Sequence, residues 1–210
     1  MAGLIEQRAV VLFQGDSITD CGRDRKNGAD MGRGYALMAS AWFSALNPEK
    51  EVEFINRGIS GDTVVDLKAR WQSDCIDLKP TWVSVLIGIN DTARAFTRDT
   101  PTSPEQFESD YRGLLDRVRN ECGARIVLIE PFLLPSMPER AAWREDLDRK
   151  IESVHRLATD FEALLVPMDQ MFRNACTLRE ARWWSHDGVH PGAAGHALMA
   201  QAWLAALKVI

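Results

Sequence analysis

The chain has 210 residues, of which 46% are hydrophobic and 26% are charged, and its net charge is -5. This composition is typical of an ordinary globular protein, and the absence of a linker-like stretch predicts one domain over residues 1–210. The acidic balance argues against nucleic acid or an anionic membrane as a partner. The first apolar run, residues 9–13, is shorter than a secretory core or a membrane span requires. The cysteines are scattered without a C-x-x-C pair, which favours free thiols and a cytoplasmic location.

Short runs of consecutive apolar residues recur along the chain and predict its strands. They do not alternate with polar residues, as the exposed strands of an antiparallel sheet would. Continuous runs are typical of parallel strands covered on both faces. The runs are residues 9–13, 52–55, 82–87, 126–129 and 164–166.

Amphipathic stretches separate these runs and predict helices over about residues 38–46, 64–78, 103–123, 143–161 and 191–207. The third stretch opens with the letters SPEQ, a capping box with proline at the first helical position. The alternation of strands and helices predicts a three-layer α/β/α sandwich around a five-stranded parallel sheet. Its expected strand order is the flavodoxin-like 2-1-3-4-5.

Polar segments follow four of the five predicted strands. In a sheet of this kind ligands bind beyond the carboxyl ends of the strands, so these segments should meet at one edge. Together they offer a hydroxyl group, glycine-flanked backbone N–H groups, an amide side chain and an Asp/His pair. The segments are residues 15–17, 56–62, 88–91 and 183–191.

This set of groups is suited to acyl transfer. The hydroxyl of Ser17 needs an adjacent base to act as a nucleophile, and His190 can take its proton. Asp187 lies three residues before His190, where a tight turn can bring its carboxylate to the other imidazole nitrogen. The N–H groups of Ser17 and Gly58 and the side-chain amide of Asn90 can form an oxyanion hole.

The same segments resemble the conserved blocks of the SGNH hydrolases, also called the GDSL esterase/lipase family. The strings GDSITDCGR at 15–23, NRGISG at 56–61 and IGIND at 87–91 are similar to bacterial carbohydrate acetyl esterases of the acetylxylan esterase type. Ile18 replaces the leucine of the family name, a conservative change. The resemblance implies a serine esterase without cofactor or metal, acting on short-chain esters, in particular acetyl esters, of sugars or xylo-oligosaccharides.

Further residues are candidates for contacts with a small-molecule ester substrate. Arg33 and Tyr35 can contribute to the wall of the site, and Trp183 and Trp184 can offer an aromatic face to a sugar ring or serve only as loop anchors. Asp16 beside the nucleophile is a further candidate for a substrate contact, and it is also expected to fix the loop by accepting backbone N–H bonds. A homo-oligomer is a further possibility that the sequence leaves open.

Other interpretations remain at this point. Ser17 could simply cap a short helix. His186 competes with His190 as the base, and these two histidines with Asp187 could instead bind a metal ion. Within the same family, a lysophospholipase or thioesterase is the alternative activity. A flavodoxin-like binding module that holds a phosphate or nucleotide at a helix N-terminus is the alternative from another class.

Overall fold

The computed structural model describes residues 3–97 and 101–210. Its sheet has five parallel strands in the order β2-β1-β3-β4-β5, which confirms the predicted order. Each strand overlaps its predicted run, with ends that move by up to two residues. No helix in the described part of the chain is both long enough and apolar enough to cross a membrane. The strands are β1 (Val10–Gly15), β2 (Glu53–Asn56), β3 (Trp82–Leu86), β4 (Arg125–Ile129) and β5 (Leu164–Val166).

The five predicted helices are all present, and the structure adds helices that the apolar pattern does not predict as separate elements. The predicted ones are α2 (Tyr35–Leu46), α3 (Val64–Asp74), α5 (Pro104–Arg117), α6 (Trp143–Asp160) and α9 (Ala193–Ala206). The added ones are α1 (Ser17–Asp20), α4 (Ile89–Thr97), α7 (Met168–Leu178) and α8 (Ala181–Trp184).

Each face of the sheet carries its own hydrophobic core, because successive strand side chains point to opposite faces. Val11 and Phe13 pack with α2, α7 and α9, whereas Leu12 packs with α3, α5 and the second half of α6. All three of these strand side chains are fully buried. The sheet is therefore covered on both faces, as the continuous apolar runs predict.

Trp203 fixes α9 on the sheet and so determines where the segment before α9 lies. Its indole N–H donates to the Ser84 hydroxyl over 3.1 Å, and its ring centre lies 5.1 Å from that of Phe13 on β1. All three side chains are buried. The segment just before α9 thereby lies near the carboxyl end of β1, whereas the end of α9 meets the start of the chain, where the Leu4 N–H donates to the Leu207 carbonyl oxygen over 3.0 Å.

Candidate active site

Ser17 lies immediately beyond the carboxyl end of β1, at the first position of α1. The chain turns sharply here because Gly15 approaches β3 closely, and a Cβ at Gly15 would lie 2.4 Å from the Leu86 carbonyl oxygen. Asp16 is the N-cap of α1, and its Oδ1 accepts the Ile18 N–H over 2.9 Å. The expected loop-fixing role of Asp16 is therefore observed, and the helix cap is Asp16 rather than Ser17. The Ser17 hydroxyl is left free for other contacts.

The structure brings Ser17, His190 and Asp187 into one hydrogen-bonded chain. The Ser17 Oγ lies 3.0 Å from the His190 Nε2, and the His190 Nδ1 lies 2.8 Å from the Asp187 Oδ2. With Nδ1 donating to the carboxylate, Nε2 can accept the hydroxyl proton. The chain thus has the geometry that nucleophilic catalysis by a serine requires.

The loop from Asp187 to His190 also holds itself in shape. The second carboxylate oxygen of Asp187, Oδ1, accepts the N–H groups of Val189 and His190 over 3.0 and 2.8 Å. Partial burial raises the pKa of Asp187, but the bonds from the His190 ring and from these two N–H groups outweigh it, and that pKa lies well below its usual range. Asp187 is therefore ionised at neutral pH and able to stabilise an imidazolium.

His186, the rival base, is exposed and makes no hydrogen bond within the described ranges. Its position contrasts with that of His190, whose two ring nitrogens face Ser17 and Asp187. Across residues 3–97 and 101–210, no group of three or more His, Cys, Asp or Glu side chains is arranged to hold a metal ion. The metal interpretation of His186, Asp187 and His190 thus has no ligand set in that part of the protein.

Gly58 requires a correction. Its N–H, predicted to point at an oxyanion, donates instead to the Asn56 Oδ1 over 2.8 Å. Gly58 is buried, and a Cβ at this position would lie 2.3 Å from the backbone nitrogen of Asp20. Its physical role in this structure is close packing of its loop against α1, and its N–H is not available to a substrate.

Gly61, three residues further on, is the better donor. It is exposed with a φ of +87°, and its N–H, like that of Ser17, has no acceptor among the residues that the structure describes. Asn90 lies beside it: its Nδ2 donates to the Asp62 carbonyl oxygen over 3.0 Å, which leaves one amide hydrogen free. Gly61 and Asn90 line the same cavity of about 380 Å³. The sequence string NRGISG contains both glycines and does not distinguish them.

Asp16 and Tyr35 are wrong as candidate substrate contacts, because both are completely buried. The Tyr35 hydroxyl lies 3.0 Å from the Thr19 Oγ1, and Tyr35 belongs to the core that contains Val11 and Phe13. The Oδ2 of Asp16 has no hydrogen-bond partner in the described structure, and burial raises the pKa of Asp16 to about 7. Both residues stabilise the segment that carries Ser17: Asp16 through Ile18 and Tyr35 through Thr19.

The two tryptophans before the Asp/His pair lie in α8 and differ from each other. The Trp184 indole N–H donates to the carbonyl oxygens of Ala175 and Arg179, both at 3.2 Å, so this partly buried residue anchors α8 to α7. Trp183 is 54% exposed, with the Arg179 guanidinium 4.7 Å from its ring centre. Trp183 and the exposed Arg33 are accessible to a ligand, and their role as substrate contacts stays a prediction.

The sequence and the fold are similar to those of known proteins. The family model of the GDSL-like lipase/acylhydrolase family matches residues 13–198. An acetylxylan esterase from Geobacillus stearothermophilus is 35% identical over 202 residues, 92% of this chain and 91% of that protein. A crystal structure of an acetylxylan esterase from the same organism has a TM-score of 0.90 at 34% identity, covering 97% of this chain and 96% of that one.

Two further relatives bear on the range of activities. A crystal structure from Parabacteroides merdae, described as a GDSL-like lipase, has a TM-score of 0.94 at 36% identity and covers 98% of both chains. Thioesterase 1/protease 1/lysophospholipase L1 from Escherichia coli K12 is 28% identical over 171 residues, 78% of this chain and 73% of that protein. Similarity therefore extends to proteins named for different esters.

Proposed function

Since the chain belongs to the GDSL-like lipase/acylhydrolase family and is a carboxylic ester hydrolase, we propose that it removes acetyl groups from sugars through an acyl-enzyme formed on Ser17. The observation that carries the mechanism is the hydrogen-bonded chain from the Ser17 Oγ through His190 to Asp187. The family assignment replaces the flavodoxin-like binding module as the interpretation of the fold.

The reaction proceeds in two steps. The Ser17 oxygen attacks the ester carbonyl carbon while the His190 Nε2 takes the hydroxyl proton, and the same proton then passes to the departing alcohol. Water attacks the acetyl-serine in the second step and gives a proton to His190, which passes it to the departing Ser17 oxygen, so that acetate is released and the free serine is restored. Throughout, Asp187 keeps the imidazole oriented and stabilises its positive charge.

Charge develops on the carbonyl oxygen in both steps, and donors already in place are needed to stabilise it. The N–H groups of Ser17 and Gly61, which have no acceptor in the described part of the chain, and the second amide hydrogen of Asn90 are the three donors that support this role. Removal of one such donor typically costs about 2.7–4 kcal/mol of transition-state stabilisation.

The alcohol side of the ester is inferred from the cavity beside Asn90. Hydroxyl, carboxylate and guanidinium side chains line it, which suits a hydroxyl-rich alcohol better than an alkyl chain. They belong to Ser60, Asp62, Asp66, Arg94 and Thr97. The acetylxylan esterase relative is named for an acetylated carbohydrate, which supports the same substrate class.

The direct test is acetate release from a panel of acetylated sugars and xylo-oligosaccharides, with wild type, Ser17→Ala and Ser73→Ala compared. Ser73 is an exposed serine of α3 and serves as the matched control. We expect Ser17→Ala to lose activity by a factor of about 10⁴ or more and Ser73→Ala to keep it. Wild-type activity retained in Ser17→Ala would disprove the mechanism, and no acetate from any sugar would disprove the substrate class.

A thioesterase or lysophospholipase is the second candidate, favoured by the Escherichia coli relative and by a second cavity of about 340 Å³. That cavity is lined mainly by apolar side chains, among them Leu133, Leu134 and Met137. Leu134 contacts the Asp/His loop, since its N–H donates to the Gly188 carbonyl oxygen over 2.9 Å. A kcat/KM that rises with acyl chain length would favour this candidate. For a deacetylase, kcat/KM should instead fall steeply as the acyl chain becomes longer.

A further inference from the structure

A short segment after β4, residues 134–140, contacts the Asp187–His190 loop from outside the hydrogen-bonded chain. Besides the bond from Leu134 to Gly188, the Ser136 hydroxyl donates to the Ser185 carbonyl oxygen over 2.6 Å. Ser185 in turn donates its hydroxyl to the His190 carbonyl oxygen over 2.8 Å. The segment 134–140 therefore holds the backbone on which the acid and the base are carried.

Arg140 makes the contact nearest to the reacting groups. Its Nη1 donates to the Asp187 carbonyl oxygen over 2.7 Å and lies 3.6 Å from the Asp187 Oδ2. That Oδ2 is the oxygen that faces the His190 Nδ1. One guanidinium thus touches both the backbone and the carboxylate of the same residue.

The guanidinium itself is held in place. It lies 5.0 Å from the centre of the Trp143 ring at the start of α6, and Trp143 is buried. The Arg140 side chain is only 26% exposed, so it is not a free surface charge. A planar cation stacked on a fixed ring has little freedom to lose when it binds a carbonyl oxygen.

We propose that Arg140 is a positioning residue for the hydrolytic reaction: it fixes the rotation of Asp187 and thereby the direction in which the His190 ring faces Ser17. The inference rests on the proposed function of these three residues. An ion pair at 3.6 Å in partial contact with solvent contributes little by itself. The shorter bond to the backbone carbonyl, reinforced by the positive charge, carries the effect.

The test compares Arg140→Met and Arg140→Lys with wild type on para-nitrophenyl acetate and on an acetylated sugar. Methionine keeps much of the packing on Trp143 and removes charge and donors, and lysine restores charge and a donor. We expect Arg140→Met to lower kcat about tenfold on both substrates with KM unchanged, and Arg140→Lys to recover part of that loss.

Arg119→Met is the matched control. The Arg119 guanidinium lies 4.6 Å from the centre of the Phe161 ring and pairs with Asp116. It therefore repeats the stacked and paired arrangement of Arg140 at a place away from Ser17, His190 and Asp187. It should leave kcat unchanged. If Arg140→Met unfolds below the assay temperature, Arg140→Gln, which keeps a neutral donor, takes its place under the same criterion.

A second measurement separates positioning from general stability. The proton between the His190 Nδ1 and Asp187 gives a downfield NMR signal when the bond is well formed, and we expect that signal to broaden in Arg140→Met but not in Arg119→Met. A rise in KM alone would mean that Arg140 binds substrate, and a kcat within twofold of wild type would mean that it positions nothing. Either result would overturn the inference while wild-type activity and its dependence on Ser17 still supported the proposed function.

Discussion

Two carboxylates near the reactive serine have surroundings that move their pKa values in opposite directions. Burial raises the pKa of Asp16 to about 7, and its Oδ2 has no hydrogen-bond partner among the described residues. Asp187 is also partly buried, which raises its pKa, but the His190 ring and two N–H groups outweigh this and lower the pKa below its usual range. One carboxylate is therefore ionised for the reaction, and the other supports the fold and carries a proton in mildly acidic solution.

Replacing Asp187 by asparagine tests the first of these roles. The amide can keep the backbone bonds of the loop, but it presents an N–H or an uncharged oxygen to the imidazole. We expect kcat on para-nitrophenyl acetate to fall by about 10⁴-fold while the protein stays folded. Asp160→Asn, at the end of α6 and paired with Arg112, is the control that should keep full activity. A loss below tenfold would show that Asp187 is not the orienting acid.

The two glycines of the second segment should respond differently to alanine. At Gly58 the added Cβ would overlap backbone atoms of α1, and we expect a loss of about 3 kcal/mol in the free energy of unfolding. At Gly61 there is open space, and the left-handed φ should cost only about 1 kcal/mol. Urea unfolding and kcat, measured on both variants, check this. Alanine keeps the backbone N–H, so we expect folded Gly61→Ala to lose kcat only because relaxation of the left-handed φ turns this N–H away from the oxyanion, and an unchanged kcat would argue against this dependence on the Gly61 backbone.

At the scale of elements, α3 and α4 together hold the loop that carries Gly61. The Arg94 guanidinium on α4 donates to the Gly61 carbonyl oxygen over 2.7 Å and to Asp66 over 3.0 Å. Asp66 also forms the capping box of α3 with Thr63. The start of α3 is thus a structural support of the site as well as a helix end.

The N-caps of α3 and α5 should therefore have similar effects on stability and different effects on kcat. Thr63→Ala at α3 and Ser103→Ala at α5 should each lower the free energy of unfolding by about 1 kcal/mol, because each removes a side-chain acceptor from a helix N-terminus. Only Thr63→Ala should also lower kcat, since only α3 adjoins the Gly61 loop. Equal kcat in the two variants would show that the α3 cap does not affect the site.

The sequence predicts those elements whose residue pattern is determined by burial. Continuous apolar runs identify all five strands, and helical spacing identifies the helices that cover them, because burial determines both patterns. Apolar spacing does not predict α4, because this helix begins within the string IGIND at 87–91 and has few buried apolar positions. The choice between Gly58 and Gly61 escapes it too, because it depends on where the Asn56 side chain points.

For the molecule as a whole, the buried Asp16 predicts how stability changes with pH. Its folded-state pKa of about 7 exceeds the usual unfolded value of about 3.9, so the folded state binds the extra proton between these values. Its contribution to the free energy of unfolding therefore falls as pH rises from about 4 to about 7 and is constant above that range.

Asp16→Asn removes this titration and can keep the oxygen that accepts the Ile18 N–H. We expect the difference in Tm, variant minus wild type, to become more positive between pH 5 and pH 8. Thermal unfolding at several pH values measures it, with Asp160→Asn as the control. A difference that does not change with pH would mean that Asp16 keeps an ordinary pKa in the folded protein.

The nucleophile and its base are separated by 173 residues along the chain, although their atoms lie 3.0 Å apart. A ribosome that adds about 5–20 residues per second needs about 9–35 s to pass from one to the other. During that interval the nascent chain displays Ser17 without a base to activate it. A truncated or stalled translation product ending before His190 should accordingly be hydrolytically silent, so that esterase activity appears only late in synthesis.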